Sequence, residues 1–179
     1  MLILGAQGQV GQIATQVARL LGASRVVGAV HTEKGLQVAL DRGADAAVST
    51  ADASTLTERL RAALPDGVDL ILDMVWGPVI GNAIDVARLR ARVVQVGNSG
   101  GAMATLSAPV FRNKIVSILP HSNFIFSAAE RAVAYERLAA YAVSGALRVD
   151  VELVRLADAP SAWQRLKTGA VARKLVVVP

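Results

Sequence analysis

The chain has 179 residues, enough for one domain with a sizeable core, and 53% of them are hydrophobic against 18% charged, which excludes a disordered chain. Net charge is +5, yet no five basic residues stand in a row and aromatics are only 4%; nucleic acid is disfavoured, and an anionic small molecule is a better reason for the positive charge. With no cysteine, only the distant pair His31 and His121, no apolar run of membrane length and no basic segment ahead of the first apolar one, the expectations are no disulfide, no metal site, no membrane span, no signal peptide and a cytoplasmic address.

Leu2 to Leu4 is a short apolar run suited to a strand buried on both faces. Three glycines follow, Gly5, Gly8 and Gly11, ahead of a helical pattern in Val10, Ile13, Ala14, Val17, Leu20 and Leu21 that Gly22 ends. A tight strand-to-helix turn needs a residue free to take positive φ. A pyrophosphate approaches the backbone only where no Cβ intervenes, and a helix settles on its strand only over a small residue. The free N–H groups and positive end of the helix then meet the phosphate. A glycine trio between a strand pattern and a helix pattern is therefore a dinucleotide-binding signature. Gly5, Gln7, Gly8, Gln9, Val10 and Gly11 are its candidate residues.

Arg25 to Val30 reads as a second strand, and Thr32 as the N-cap of a helix through Leu36, Ala39 and Leu40 that Gly43 closes. Ala46 to Val48 is a third strand. A helix from Ser54 or Thr55 follows, with Leu56, Leu60 and Leu64 on one face, and Val68 to Met74 is the fourth strand. Pro78 suits the first turn of a helix carrying Ile80, Ala83, Ile84 and Ala87; Arg92 to Gly97 is the fifth strand. Asn98 to Ala108 is a Gly/Ser-rich loop, Ile115 to Leu119 a sixth strand, and Ser127 to Val143 a long helix. Val151–Arg155, a short helix over about 159–166 and Lys174–Val178 end the chain. Alternating strands and helices with near-continuous apolar strands predict an α/β fold: a Rossmann-type, doubly wound, parallel six-stranded sheet with helices on both faces, plus a C-terminal β-α-β tail.

The acid that hydrogen-bonds the ribose hydroxyls in such folds ends the second strand, about 20 residues past the glycines. Val30 stands there, and no carboxylate occurs before Glu33. Without an acid to repel a 2′-phosphate, NADPH is favoured. Thr32 and Lys34 then meet the phosphate, with His31 joining if protonated. The other reading leaves Thr32 as a helix cap and Lys34 as a solvated charge.

Gly5-Ala-Gln-Gly-Gln-Val-Gly11, Leu21-Gly-Ala23, Arg42-Gly-Ala-Asp45, Val68-Asp-Leu-Ile-Leu-Asp73, Arg92-Val-Val-Gln-Val-Gly-Asn98 and Arg173-Lys-Leu-Val-Val-Val-Pro179 resemble the medium-chain dehydrogenase/reductase superfamily, and most of all its quinone oxidoreductase and zinc-independent enoyl reductase branch. The resemblance spans the chain. It implies hydride transfer from NADPH to a small-molecule acceptor, namely a quinone, enone or enoyl thioester. It also implies a catalytic barrel domain ahead of the first Rossmann strand, so that residues 1–148 are the NAD(P)-binding domain and 149–179 a segment that folds back onto the missing domain. Relatives of this fold pair their sheets at the last strand, which for this chain implies a homodimer through 115–119.

By position, the resemblance places Val75 and Trp76, then Gly97, Asn98 and Ser99, at the nicotinamide half. It lays Asn123 and Phe124 along that ring and offers Arg173 as a second basic contact. The plainer alternatives are a turn-forming Asn98 and packing roles for Phe124 and Phe126. His121 reads as a loop histidine. No catalytic residue is identified: Ser122 has no Asp/His pair placed by sequence, and neither Tyr135 nor Tyr141 is followed by lysine four residues on. The isolated chain is expected to bind cofactor without turnover. Two rivals remain, a redox-sensing NADPH module and the cofactor domain of a zinc-dependent alcohol dehydrogenase.

Overall fold

The computed structural model describes residues 1–168, 171 and 173–179. Six strands form one parallel sheet: β1 (Leu2–Leu4), β2 (Val27–Val30), β3 (Ala46–Ser49), β4 (Val68–Asp73), β5 (Ala87–Gln95) and β6 (Ser117–Pro120). Their order is β3-β2-β1-β4-β5-β6. The order reverses between β1 and β4, the switch point at which such sheets bind ligands. The helices α1 (Gln9–Leu20), α2 (Glu33–Asp41), α3 (Leu56–Ala63), α4 (Val79–Asp85), α5 (Ala108–Lys114) and α6 (Ala128–Val143) connect or follow these strands. The chain ends with β7 (Val151–Arg155), α7 (Ala159–Lys167) and β8 (Lys174–Val178), and β7 and β8 pair parallel in a sheet of their own. The expected doubly wound α/β architecture is what the chain adopts.

The apolar strands read as continuous because the sheet is covered on both faces. Leu2 and Leu4 join Leu56, Leu60, Ile80 and Ile84 in one core. Ile3, one residue out of phase, joins Ala18, Val26, Val30 and Ala39 in the other. A Cβ on Gly28 would lie 2.9 Å from both the Ala39 and Ala6 methyl carbons. The glycine therefore lets α2 and the β1–α1 turn close over β2.

Beyond shifts of one or two residues at strand ends, three stretches differ from expectation. Ala87 belongs to β5 rather than to α4: its pairing with Val68 draws the strand back by five residues, and a register shift before Leu70↔Arg92 absorbs the misfit, with Arg90 at φ 64°. Arg88, Leu89 and Arg90 are exposed, so this part of the strand has no apolar pattern. The stretch ahead of the sixth strand contains α5, a seven-residue helix with Pro109 in its first turn and only Val110 and Phe111 packed on the core. The expected strand Ile115–Leu119 is accordingly Ser117–Pro120, because Ile115 ends α5 in the left-handed region at φ 51° and Val116 is buried between the two elements.

Candidate functional site

The turn after β1 opens the site. Gly5 lies at φ 85° and its N–H bonds the Ala29 carbonyl at 2.9 Å. A side chain on Gly11 would be driven into the Gly5 carbonyl and lie 2.6 Å from the Ala6 Cα. Gly11 is thus the small residue that seats α1 on the turn. Gly8, the N-cap of α1, has ordinary φ (−73°) and is exposed; a Cβ there would meet only the Gly5 oxygen, at 3.4 Å. No side chain caps α1 and no acid lies in its first turn. The N-cap residue thus brings no side chain to the helix N-terminus, an arrangement that leaves room for an anion.

Behind this helix end lies a cavity of about 760 Å³, within the size range of cofactor sites. Gly5, Gln7, Gly8, Gln9, Val10 and Gly11 line it, with Ala29 and His31 from the end of β2, Thr50, Ala51 and Ala53 after β3, Met74 and Val75 after β4, Pro78 and Val79 at the start of α4, and Ser99 and Gly100 after β5. The carboxyl ends of five strands thus surround one space.

Asp73 shapes the wall after β4. Its side chain is fully buried, and Oδ1 accepts the N–H groups of Val75 (2.8 Å) and Trp76 (2.7 Å). Oδ2 has no partner among the described residues. Burial pushes the carboxyl above its ordinary range, against the two N–H bonds that favour the charged form. Its carbonyl accepts from Val96 (2.8 Å) and Gly97 (3.2 Å), so this residue ties the β4 and β5 exits together and is no ribose acid. Ser99 donates its hydroxyl to the Met74 carbonyl at 3.1 Å. Gly97 and Gly100 are required here, since a Cβ on either would press on Met74 or Val75 at 2.8 and 2.7 Å.

At the end of β2, Thr32 caps α2, its hydroxyl accepting from Gly35 N–H at 3.1 Å and donating to Gln7 Oε1 at 3.3 Å. The Gln7 oxygen also accepts the N–H groups of His31 (3.0 Å) and Thr32 (3.2 Å). The capping expectation for Thr32 is what the structure shows, and its only O–H is already engaged. Lys34 is exposed on the first turn of α2.

Of the expected site residues, Gly5, Gln7, Gly8, Gln9, Val10, Gly11, His31, Val75 and Ser99 meet around the cavity; Thr32, Lys34, Gly97, Asn98, Asn123, Phe124 and Arg173 are not among its lining. Asn98 is exposed, its carbonyl accepting from Gly101 at 3.0 Å in a turn. Asn123 and Phe124 lie on a 3₁₀ turn past β6, where Asn123 Oδ1 is 2.9 Å from His121 Nε2 and Phe124 is 93% exposed. Arg173 precedes β8; the hydrogen bond from Arg165 holds the Glu152 carboxyl below its ordinary range, and the Arg173 charge adds to that effect. Ala29, Thr50, Ala51, Ala53, Met74, Pro78, Val79 and Gly100 line the cavity without having been singled out by the sequence. The rule that ligands meet strand carboxyl ends would have suggested Thr50 and Met74; the others have no local signal.

A family model described as zinc-binding dehydrogenase matches residues 10–133. The chain belongs to the zinc-binding dehydrogenase family. Its neighbours are quinone oxidoreductases and other medium-chain dehydrogenases/reductases, as its motifs suggest. It is 36% identical over 104 residues to a probable NADPH-dependent quinone reductase of Emericella nidulans, a match covering 54% of this chain and 29% of that protein. It also resembles a mycobacterial quinone oxidoreductase (TM-score 0.87, 26% identity, 99% of this chain and 56% of that one). The Escherichia coli quinone oxidoreductase complexed with NADPH superposes with TM-score 0.79 and 27% identity over 99% of this chain and 56% of that one. This zinc-binding dehydrogenase chain therefore spans about half the length of its structural relatives and under a third of the curated one. Among its described residues, no group of three or more His, Cys, Asp or Glu is placed to hold a metal ion.

Proposed function

We propose that the chain is the NADPH-binding half of an oxidoreductase that passes hydride to a quinone, an enone or an enoyl thioester. One observation carries the reading: the glycine turn and the first residues of α1 line a cavity at the switch point, with a glycine N-cap at Gly8 that sets no Cβ in the way of a pyrophosphate. Val30, where a ribose-binding acid would stand, favours the phosphorylated cofactor. The reduced nicotinamide supplies the hydride. The residues of this chain bind, orient and exclude water: the glycine turn holds the pyrophosphate, Val75 and the Ser99–Gly100 loop form one wall of the nicotinamide half, and the Met74 carbonyl fixes that loop through Ser99. The acceptor side is supplied by a catalytic domain outside these residues, onto which 149–179 folds. The whole works as a cytoplasmic homodimer paired at the β6 edge.

Titrating NADPH onto the chain by fluorescence, with Gly8→Asp as control, tests the reading. Gly8 has ordinary φ and room for a Cβ, and aspartate is a good N-cap, so the variant keeps its fold while a carboxylate takes the phosphate's place. Losing one charge-assisted contact costs about 1.5–3 kcal/mol, or about ten- to hundredfold in affinity. A wild-type chain showing no saturable binding would remove the proposal.

A further inference from the structure

We infer that Gln7 is the residue that reads the 2′ position of the cofactor's adenosine ribose, a role that rests on the proposed NADPH site and that Thr32 and Lys34 do not fill. Three donors converge on the Gln7 side-chain oxygen: the N–H groups of His31 (3.0 Å) and Thr32 (3.2 Å) and the Thr32 hydroxyl (3.3 Å). Backbone N–H groups only donate, so the amide must present its oxygen there, and its orientation is settled by chemistry. The backbone N–H groups of His31 and Thr32 and the Thr32 hydroxyl, three donors of the corner at which ribose is read, are thereby spent on Gln7. What Gln7 retains is its NH2 group, two donors on the far side of the same planar amide, attached to a residue that lines the cavity.

Gly35 makes the placement possible. A Cβ there would be driven into the Gln7 oxygen and would stand 3.1 Å from the Gln7 Cβ. The glycine in the first turn of α2 thus holds open the space in which the amide lies. An amide donor beside a ribose serves a 2′-phosphate better than a 2′-hydroxyl, because hydrogen bonds to charged acceptors are stronger. Gln7 is in this sense a specificity residue, positioned by the β2–α2 corner.

The test compares dissociation constants for NADPH and NADH in the wild-type chain, Gln7→Glu, Gln7→Met and Gly35→Ala. Glutamate keeps an oxygen for the three donors but turns a negative oxygen toward the ribose. It should lower the preference for NADPH over NADH by about tenfold or more, with NADH binding held or improved. Methionine, of similar length but without donors, should weaken NADPH more than NADH. Gly35→Ala, which displaces the amide without altering it, should reproduce the methionine result and serves if the Gln7 variants fail to fold. An unchanged preference in the folded variants would overturn the inference. So would tighter NADPH binding by Gln7→Met, since Gln7 would then be occupying donors that the phosphate itself uses. If the wild-type chain binds neither nucleotide, the proposed function itself falls, and this inference with it.

Discussion

Asp73 shows how one side chain serves a site without entering it. Buried with one oxygen on two backbone N–H groups and the other without a described partner, it carries a raised pKa for which burial is the larger cause. The unfolded carboxyl ionises near pH 4, before the folded one does. Between those values the unfolded state binds fewer protons, so stability falls as pH rises through the window and stays lower above it. Asn at this position keeps the acceptor for Val75 and Trp76 but cannot ionise. The stability of Asp73→Asn relative to wild type should therefore rise with pH above about 4, as read from denaturant unfolding at a series of pH values. Parallel curves would show that the charge is not what burial penalises. Asp73 ends the fourth strand and not the second, which already sets it apart from a ribose acid, but no local pattern marks it as the residue that ties the β4 turn together.

At the scale of elements, legibility follows length and capping. α6 was readable from Ser127 to Val143 because Ser127 and Glu130 form a reciprocal capping box, with both side-chain-to-backbone bonds present. α5 was not, since seven residues with two apolar contacts leave no periodicity to find. β6 is the element on which the proposed dimer depends. It is a four-residue edge strand with Leu119 45% exposed, pairing with β5 alone among the described residues. Open apolar edges invite a second chain, and a twofold axis would set two β6 strands antiparallel. Light scattering should give twice the chain mass for wild type, and Leu119→Arg should shift it toward the monomer while far-ultraviolet circular dichroism stays unchanged. A monomeric wild type, or a dimer indifferent to the charge, would refute pairing at this edge.

At the scale of the molecule, side chains of α1 and α2 hold the start of the tail among the described residues. Arg42, at the end of α2, donates to Gln12 Oε1 (3.0 Å) and to the Asp150 carboxylate, and Gln16 exchanges two hydrogen bonds with the Arg148 backbone (2.8 and 2.9 Å). The Arg42 hydrogen bond is the largest cause holding the Asp150 carboxyl below its ordinary value. That contribution is present above the ordinary range and lost as pH falls through the lowered one. Asp150→Ala should therefore speed tryptic cleavage at the exposed Arg148 several-fold while the unfolding midpoint of the sheet changes little. Unchanged cleavage would show that the tail is held by other contacts.

What the sequence determined by itself was the alternation of elements, the glycine turn and the family. These rest on local periods and backbone freedom that a few consecutive residues express. Leu2–Leu4, Gly5, Gly11 and the Thr32 cap are such cases. Tertiary structure decided how residues distant along the chain were shared out. Gln7 spends its oxygen on a corner 24 residues away, Ser99 binds Met74, and Thr50 faces the same cavity as Gly8. Such pairings depend on strand order and on packing across the sheet, and a hydrogen-bonding group is committed only when the fold brings it a partner.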